Sequence, residues 1–180
     1  MFIKQISNSL EIAAMFGEIN IDKAETTLKK LSKSKGKARL LQICSAKNIV
    51  SPFHVFAAAE QAFSSTQNRT AKSKSIEIEF LCRLNAEMQI EKAIDASELK
   101  KGKNIACLVA IDGKGKAKNQ LEEAASEIGL KEKKIDLSKN KNAAMKHFGI
   151  TKKELEVLSD LKNPLEAAVL EKMALASLSQ

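Results

Sequence analysis

The sequence predicts an α+β fold: a two-layer domain with a small mixed sheet covered by helices. Three observations carry this. Helical and strand-like apolar patterns both occur, without the strict strand–helix alternation of a doubly wound sheet. The 180 residues suit one domain, expected over 1–180, with a core large enough to need no disulfide or metal. Hydrophobic residues make up 44% and charged residues 29%, the balance of an ordinary globular chain.

The elements follow in order. Residues 1–19 leave the choice open: "MFIKQI" suits an edge strand, and "SLEIAAMF" suits strand or helix. Asp22 is placed to cap a helix from Lys23 to about Ser34, striped by Ala24, Leu28 and Leu31. "KSKGK" (33–37) is then a basic loop. "ARLLQICSAKNIV" (38–50) holds a short buried strand and a second apolar run. Ser51 and Pro52 mark a helix start, with Phe53, Phe56 and Phe63 along it. "STQNRTAKSKS" (65–75) reads as a loop.

A helix from about Ser75 to Leu84 carries Ile76, Phe80 and Leu84 on one face, and Glu79 and Arg83 are spaced to pair. A break near Asn85 leads to a second short helix, Glu87 to about Asp95, with Ile90, Ala93 and Ile94 as its apolar anchor. "NIACLVAI" (104–111) is the clearest strand. A turn, "DGKGKAK", and a helix closed by Gly129 follow. "KKIDL" suggests a short strand. Ser138 is placed to cap a helix ending near Gly149, and Thr151 to Glu154 form a capping-box pattern. The last helix opens at Asn163-Pro164 and runs almost to Gln180.

Composition narrows the function. The net charge is +8, which favours a polyanionic partner, RNA first. Trp and Tyr are absent and aromatics make up 4%, which argues against strand-borne base-stacking platforms. Cys44, Cys82 and Cys107 are far apart without a CxxC pair, so no metal and no cofactor is expected. An odd cysteine count, no apolar leader in "MFIKQIS" and no membrane-length apolar run suit a cytoplasmic protein. "GKGKAK" (113–118) matches neither phosphate-loop pattern and reads as a turn. His54 and His147 lack a nucleophile–base pattern, and His147 in a last turn suits the helix dipole when charged. No enzyme signature emerges.

Two regions stand out. Residues 65–92 gather Arg69, Lys72, Lys74, Arg83, Asn85, Gln89 and Lys92 around a loop and a helix–break–helix. Lysine and arginine neutralise phosphates, and Asn and Gln hydrogen-bond base edges or sugar hydroxyls. A solvated loop with local helix caps accounts for the same residues. In the last helix, Leu165, Val169, Met173 and Ala176 form one apolar stripe and Leu170, Ala174 and Leu178 another. Either both are core, or one is offered to a partner.

Four segments, "NIVSPFHVFAAAEQAF" (48–63), "KSIEIEFLCRLNAEMQIEKAI" (74–94), "HFGITKKELE" (147–156) and "AVLEKMALASL" (168–178), together resemble the TPRKB type of PRPK-binding protein. That type is the small subunit of the KEOPS complex, here in an archaeal form. The resemblance spans about residues 46–178; the first 40 residues match poorly. Ser75, Glu79, Gln89, Ile90, Ala93 and Ile94 match the central signature, whereas Asn85 replaces a Ser, Ala86 a Gly and Met88 an Arg. The resemblance implies a non-catalytic subunit of the complex that makes threonylcarbamoyladenosine at tRNA position 37. Such a subunit binds the N-terminal lobe of a kinase-like ATPase and captures tRNA by its single-stranded 3′ CCA end. The tRNA residues expected are Lys72, Lys74, Arg83, Asn85, Gln89 and Lys92, and those for the kinase-like partner are Leu170, Met173 and Leu178.

Overall fold

The computed structural model describes residues 1–178. The elements, in order, are β1 (Phe2–Gln5), β2 (Leu10–Ile21), α1 (Ala24–Ser34), β3 (Leu40–Ser45), α2 (Pro52–Gln67), α3 (Ile76–Leu84), α4 (Ile90–Ser97), β4 (Gly102–Gly113), α5 (Ala117–Ile128), β5 (Lys131–Glu132), a 3₁₀ turn (Leu137–Asn140), α6 (Lys141–Phe148), α7 (Lys152–Val157) and α8 (Pro164–Leu178). They form two compact units. The first joins Met1–Ala46 to Ser97–Ile135; the second joins Lys47–Ala96 to the chain from Asp136 onward.

The first unit holds the sheet, in the order β1-β2-β4-β3, with β5 also on β2. Every pairing is antiparallel, so the sheet is not mixed, although the α+β class stands. β2 and β4 pair over their full length, from Leu10 opposite Gly113 to Ile21 opposite Gly102. Ala13, Met15, Ile19 and Ile21 alternate onto one face, beside Leu41, Ile43, Ala106, Leu108 and Ala110. α1 covers that face with Leu31, and α5 with Ala117, Leu121, Ala124 and Ile128. Burying a side chain such as Leu121 stabilises by about 1.5–3 kcal/mol.

β2 is buried at every position from Glu11 to Gly17, so it offers no alternation to read. Gly17 is required: a Cβ there would collide with the Lys131 carbonyl of β5. Two expectations shift. Asp22 does not cap α1, whose N-cap is Lys23 without a side-chain bond. The short strand lies at Lys131–Glu132, ahead of "KKIDL".

The second unit is helical. The Ser51 hydroxyl accepts from His54 N at 3.0 Å and Pro52 opens α2, as expected. Asp136, rather than Ser138, caps the following turn. The Thr151–Glu154 capping box forms in full. Asn163 Oδ1 accepts from Glu166 N at 3.3 Å at the start of α8. Ser179 and Gln180, towards which the last helix was expected to run, lie outside the described residues. No described helix is long and apolar enough to cross a membrane.

Candidate functional site

The second unit brings the loop at 68–75 and the break between α3 and α4 into one framework. Its centre is Glu79, which is fully buried. The carboxylate accepts from Ser65 Oγ of α2 at 3.1 Å, from Lys72 N at 3.0 Å and from Ser73 N at 3.2 Å. Arg83, one turn on, donates through Nε at 2.8 Å, and its Nη2 lies 2.6 Å from the same carboxylate. Arg83 Nη1 donates to Ser177 Oγ of α8 at 2.8 Å. One buried ion pair thus ties the loop, α2, α3 and α8 together. A buried charge is tolerated only when paired and hydrogen-bonded, and this one is.

The consequence for the loop is direct. Its backbone is held by Glu79, while the side chains of Lys72 and Lys74 stay exposed. Lys92 and Gln89 are exposed on and beside α4. Arg83 and Asn85 require a correction as surface groups: both lie in the interior. Arg83 is engaged as above. Asn85 Nδ2 donates to Leu81 O at 2.9 Å and Ala93 O at 3.4 Å, joining α3 to α4.

The break itself is a Schellman turn. Ala86 N donates to Arg83 O at 3.1 Å and Glu87 N to Cys82 O at 3.0 Å. This geometry puts Ala86 at φ 49, in the left-handed region, where a glycine would be unstrained. Glu87 Oε1 then accepts from Gln89 N at 2.8 Å, so α4 begins at Ile90 rather than Glu87. Of the expected anchors only Ala93 is buried; Ile90 and Ile94 are exposed side by side on α4.

Two imidazoles support the end of α3. His54 of α2 is fully buried and its Nε2 meets Leu84 O at 2.9 Å. His147 of α6 is hydrogen-bonded to the Asn85 backbone. Phe148 meets both rings edge-on, with centroids 5.7 Å from His54 and 4.6 Å from His147. Burial pushes the His54 pKa down to about 4, against the hydrogen bond to Leu84. Burial also lowers the His147 pKa, so it does not serve as a charged helix cap at neutral pH. His54 Nδ1 and His147 Nε2 are buried without a hydrogen-bond partner among the described residues.

On α8, the stripe of Val169 and Met173 faces inward, with Ala168 beside it. Met173 is therefore core, contrary to its expected partner role. The other stripe turns outward: Leu170 is half-buried, Ala174 is exposed and Leu178 is 81% exposed. Lys172 Nζ donates to Glu154 Oε1 of α7 at 2.8 Å. That bond, with those from Thr151, holds the Glu154 carboxyl at about 2.

The segments 48–63, 74–94, 147–156 and 168–178 therefore meet at one place, through His54, Arg83, Asn85, His147 and Ser177. A family model for the kinase binding protein CGI-121 matches residues 19–177. The chain belongs to the CGI-121 family of kinase-binding proteins. No curated protein matches it. The match begins within β2 at Ile19, so it leaves out β1 and most of β2 and takes in the rest of the sheet unit as well as the helical unit. The spacing in sequence anticipated the pairing of Glu79 with Arg83 but not the role of Glu79 in organising the loop. The flanking Phe80, Leu81 and Leu84 were the available signal of burial. Among the described residues, no group of three or more His, Cys, Asp or Glu is assembled to hold a metal.

Proposed function

We propose that this CGI-121 protein is a non-catalytic, cytoplasmic subunit of a KEOPS-type complex that modifies adenosine 37 of tRNA to its threonylcarbamoyl form. It binds the kinase-like ATPase through the outward stripe of α8, Leu170 and Leu178, and captures tRNA by the 3′ CCA end. Lys72 and Lys74 meet phosphates, and Gln89 and Lys92 contact the single-stranded end. By holding both partners, it raises the effective concentration of tRNA at the catalytic subunit.

The observation that carries this reading is the buried Glu79. It orders the loop so that its lysines are exposed beside Gln89 and Lys92, in a chain of the kinase-binding family. The test is titration of the kinase-like ATPase and of a CCA-ended RNA with the wild type and two variants. Leu170→Asp/Leu178→Asp should weaken ATPase binding about tenfold or more, as loss of central interface contacts does. Lys72→Gln/Lys74→Gln/Lys92→Gln should weaken RNA binding and leave ATPase binding unchanged.

A second reading is a scaffold for the kinase-like partner without RNA capture. The interior positions of Arg83 and Asn85, and a thioether at Met88 where the related signature has a guanidinium, favour it. Under that reading CCA-ended RNA does not bind at all.

A further inference from the structure

The tetrapeptide Lys-Gly-Lys-Ala occurs twice in the sheet unit, each time followed by a cation: Lys35-Gly36-Lys37-Ala38-Arg39 and Lys114-Gly115-Lys116-Ala117-Lys118. The copies share a three-residue turn with one backbone feature, and then diverge: Ala38 leads into β3, whereas Ala117 opens α5. Each glycine is left-handed, φ 52 at Gly36 and φ 76 at Gly115, and each alanine is buried. The first copy connects α1 to β3 and the second β4 to α5. Leu40 pairs with Ile111, so both turns emerge at one end of the sheet.

The turns are also fastened to each other. Arg39 N donates to Ile111 O at 2.8 Å, and Gln120 Nε2 donates to Ser34 O. Between these two ties the chain carries Lys35, Lys37, Lys114, Lys116 and Lys118, with Asp112 the only acid. Lys33, Lys37, Lys114, Lys116 and Lys118 are exposed. Nearby, Glu11 is buried and accepts from Ala117 N at 3.1 Å, and Glu122 lies 3.8 Å from Lys118. Ser9 O, from an uncharged loop, accepts from Lys114 N at 3.0 Å.

We propose that these paired Lys-Gly-Lys turns form a second nucleic-acid surface, which grips the phosphate backbone of double-stranded RNA without reading its sequence. Two features favour RNA over an acidic protein. Lysine is depleted from protein interfaces, and no aromatic or large apolar side chain stands in either turn to anchor one. Lysines are point charges suited to phosphates, and side-chain-free glycines let the backbone approach a strand closely. The surface is built from sheet-unit residues, none of which is assigned to the CCA end, and does not depend on that assignment.

The test uses the full chain and a blunt RNA duplex of two helical turns, followed by fluorescence anisotropy across a salt series. The wild type should bind with a steep salt dependence. Lys33→Gln/Lys37→Gln/Lys114→Gln/Lys116→Gln should weaken binding about tenfold or more and flatten the log–log salt slope by about 3.5, the loss of four phosphate contacts. Lys72→Gln/Lys74→Gln/Lys92→Gln should bind the duplex within about twofold of the wild type. Lys37→Glu/Lys116→Glu, confined to the turn tips, is the reserve variant if the fourfold one unfolds, and its loss should be at least as large. Unchanged duplex binding in these lysine variants would overturn the proposal. So would an oligoglutamate that displaces the duplex at equal charge, which would mark a protein-docking surface. The duplex has no single-stranded end, so failure of CCA capture alone leaves this result intact.

Discussion

Acidification from about pH 7.5 to about pH 5 probes the buried imidazole of His54 before most carboxylates titrate. His54 is fully buried, with one nitrogen on the Leu84 carbonyl and Nδ1 without a partner among the described residues. Protonation would place an unsatisfied charged donor in the interior, which is why burial lowers its pKa from 6.5 to about 4. The sign follows. Between those values the unfolded chain binds a proton that the native chain refuses. The stabilising contribution is therefore complete above pH 6.5 and is lost as the pH falls towards 4. A native value near 4 against 6.5 corresponds to about 3 kcal/mol in all, of which about 2 kcal/mol is gone by pH 5. His147, also lowered by burial, adds to the same trend.

Urea unfolding followed by far-UV circular dichroism measures this in a chain without Trp or Tyr. His54→Gln keeps an amide donor for Leu84 O but cannot titrate. The wild type should lose about 2 kcal/mol or more over this interval, and His54→Gln should lose much less. The double variant His54→Gln/His147→Gln should be nearly flat. Equal slopes in the wild type and His54→Gln would refute the reasoning.

Other outcomes follow from the same framework. Ala86→Gly relieves the left-handed backbone and should stabilise by about 1 kcal/mol, or about 2–4 °C in Tm. Arg83→Met leaves the Glu79 charge buried and should cost about 3–5 kcal/mol in urea unfolding, whereas Glu79→Leu/Arg83→Met should cost less than that single change. Met88→Arg restores the cation that the related signature has. Titration should show tighter binding of CCA-ended RNA if this is the tRNA site, and no change if Lys72, Lys74 and Lys92 are only solvated.

Legibility varied with the type of signal. Helix starts that rest on local chemistry, at Ser51-Pro52, Thr151 and Asn163-Pro164, were readable because capping depends on neighbours in sequence. β2 was not, because burial of consecutive residues removed its period of two and its alanines suit either state. At the candidate site, residue identities were legible but directions were not. Arg83 and Ile90 exchange their expected places: the cation is interior and the aliphatic side chain is exposed. Burial of Arg83 needs Glu79, Ser65 and Ser177 from three helices, which no local pattern encodes. Likewise the two stripes of α8 are equally apolar, and only the fold sends Met173 inward and Leu178 outward. The twinned Lys-Gly-Lys turns lie 79 positions apart, and only the pairing of Leu40 with Ile111 brings them to one end of the sheet.

The central claim is that one chain holds a kinase-like ATPase and a tRNA end together. The direct measurement is retention of labelled tRNA on the immobilised kinase-like ATPase, with this protein added or omitted. The account predicts retention only when the protein is present, reduced about tenfold or more when the tRNA lacks its CCA, as expected for loss of stacked and hydrogen-bonded bases. Retention that ignores the CCA end, or that is the same without the protein, would contradict it.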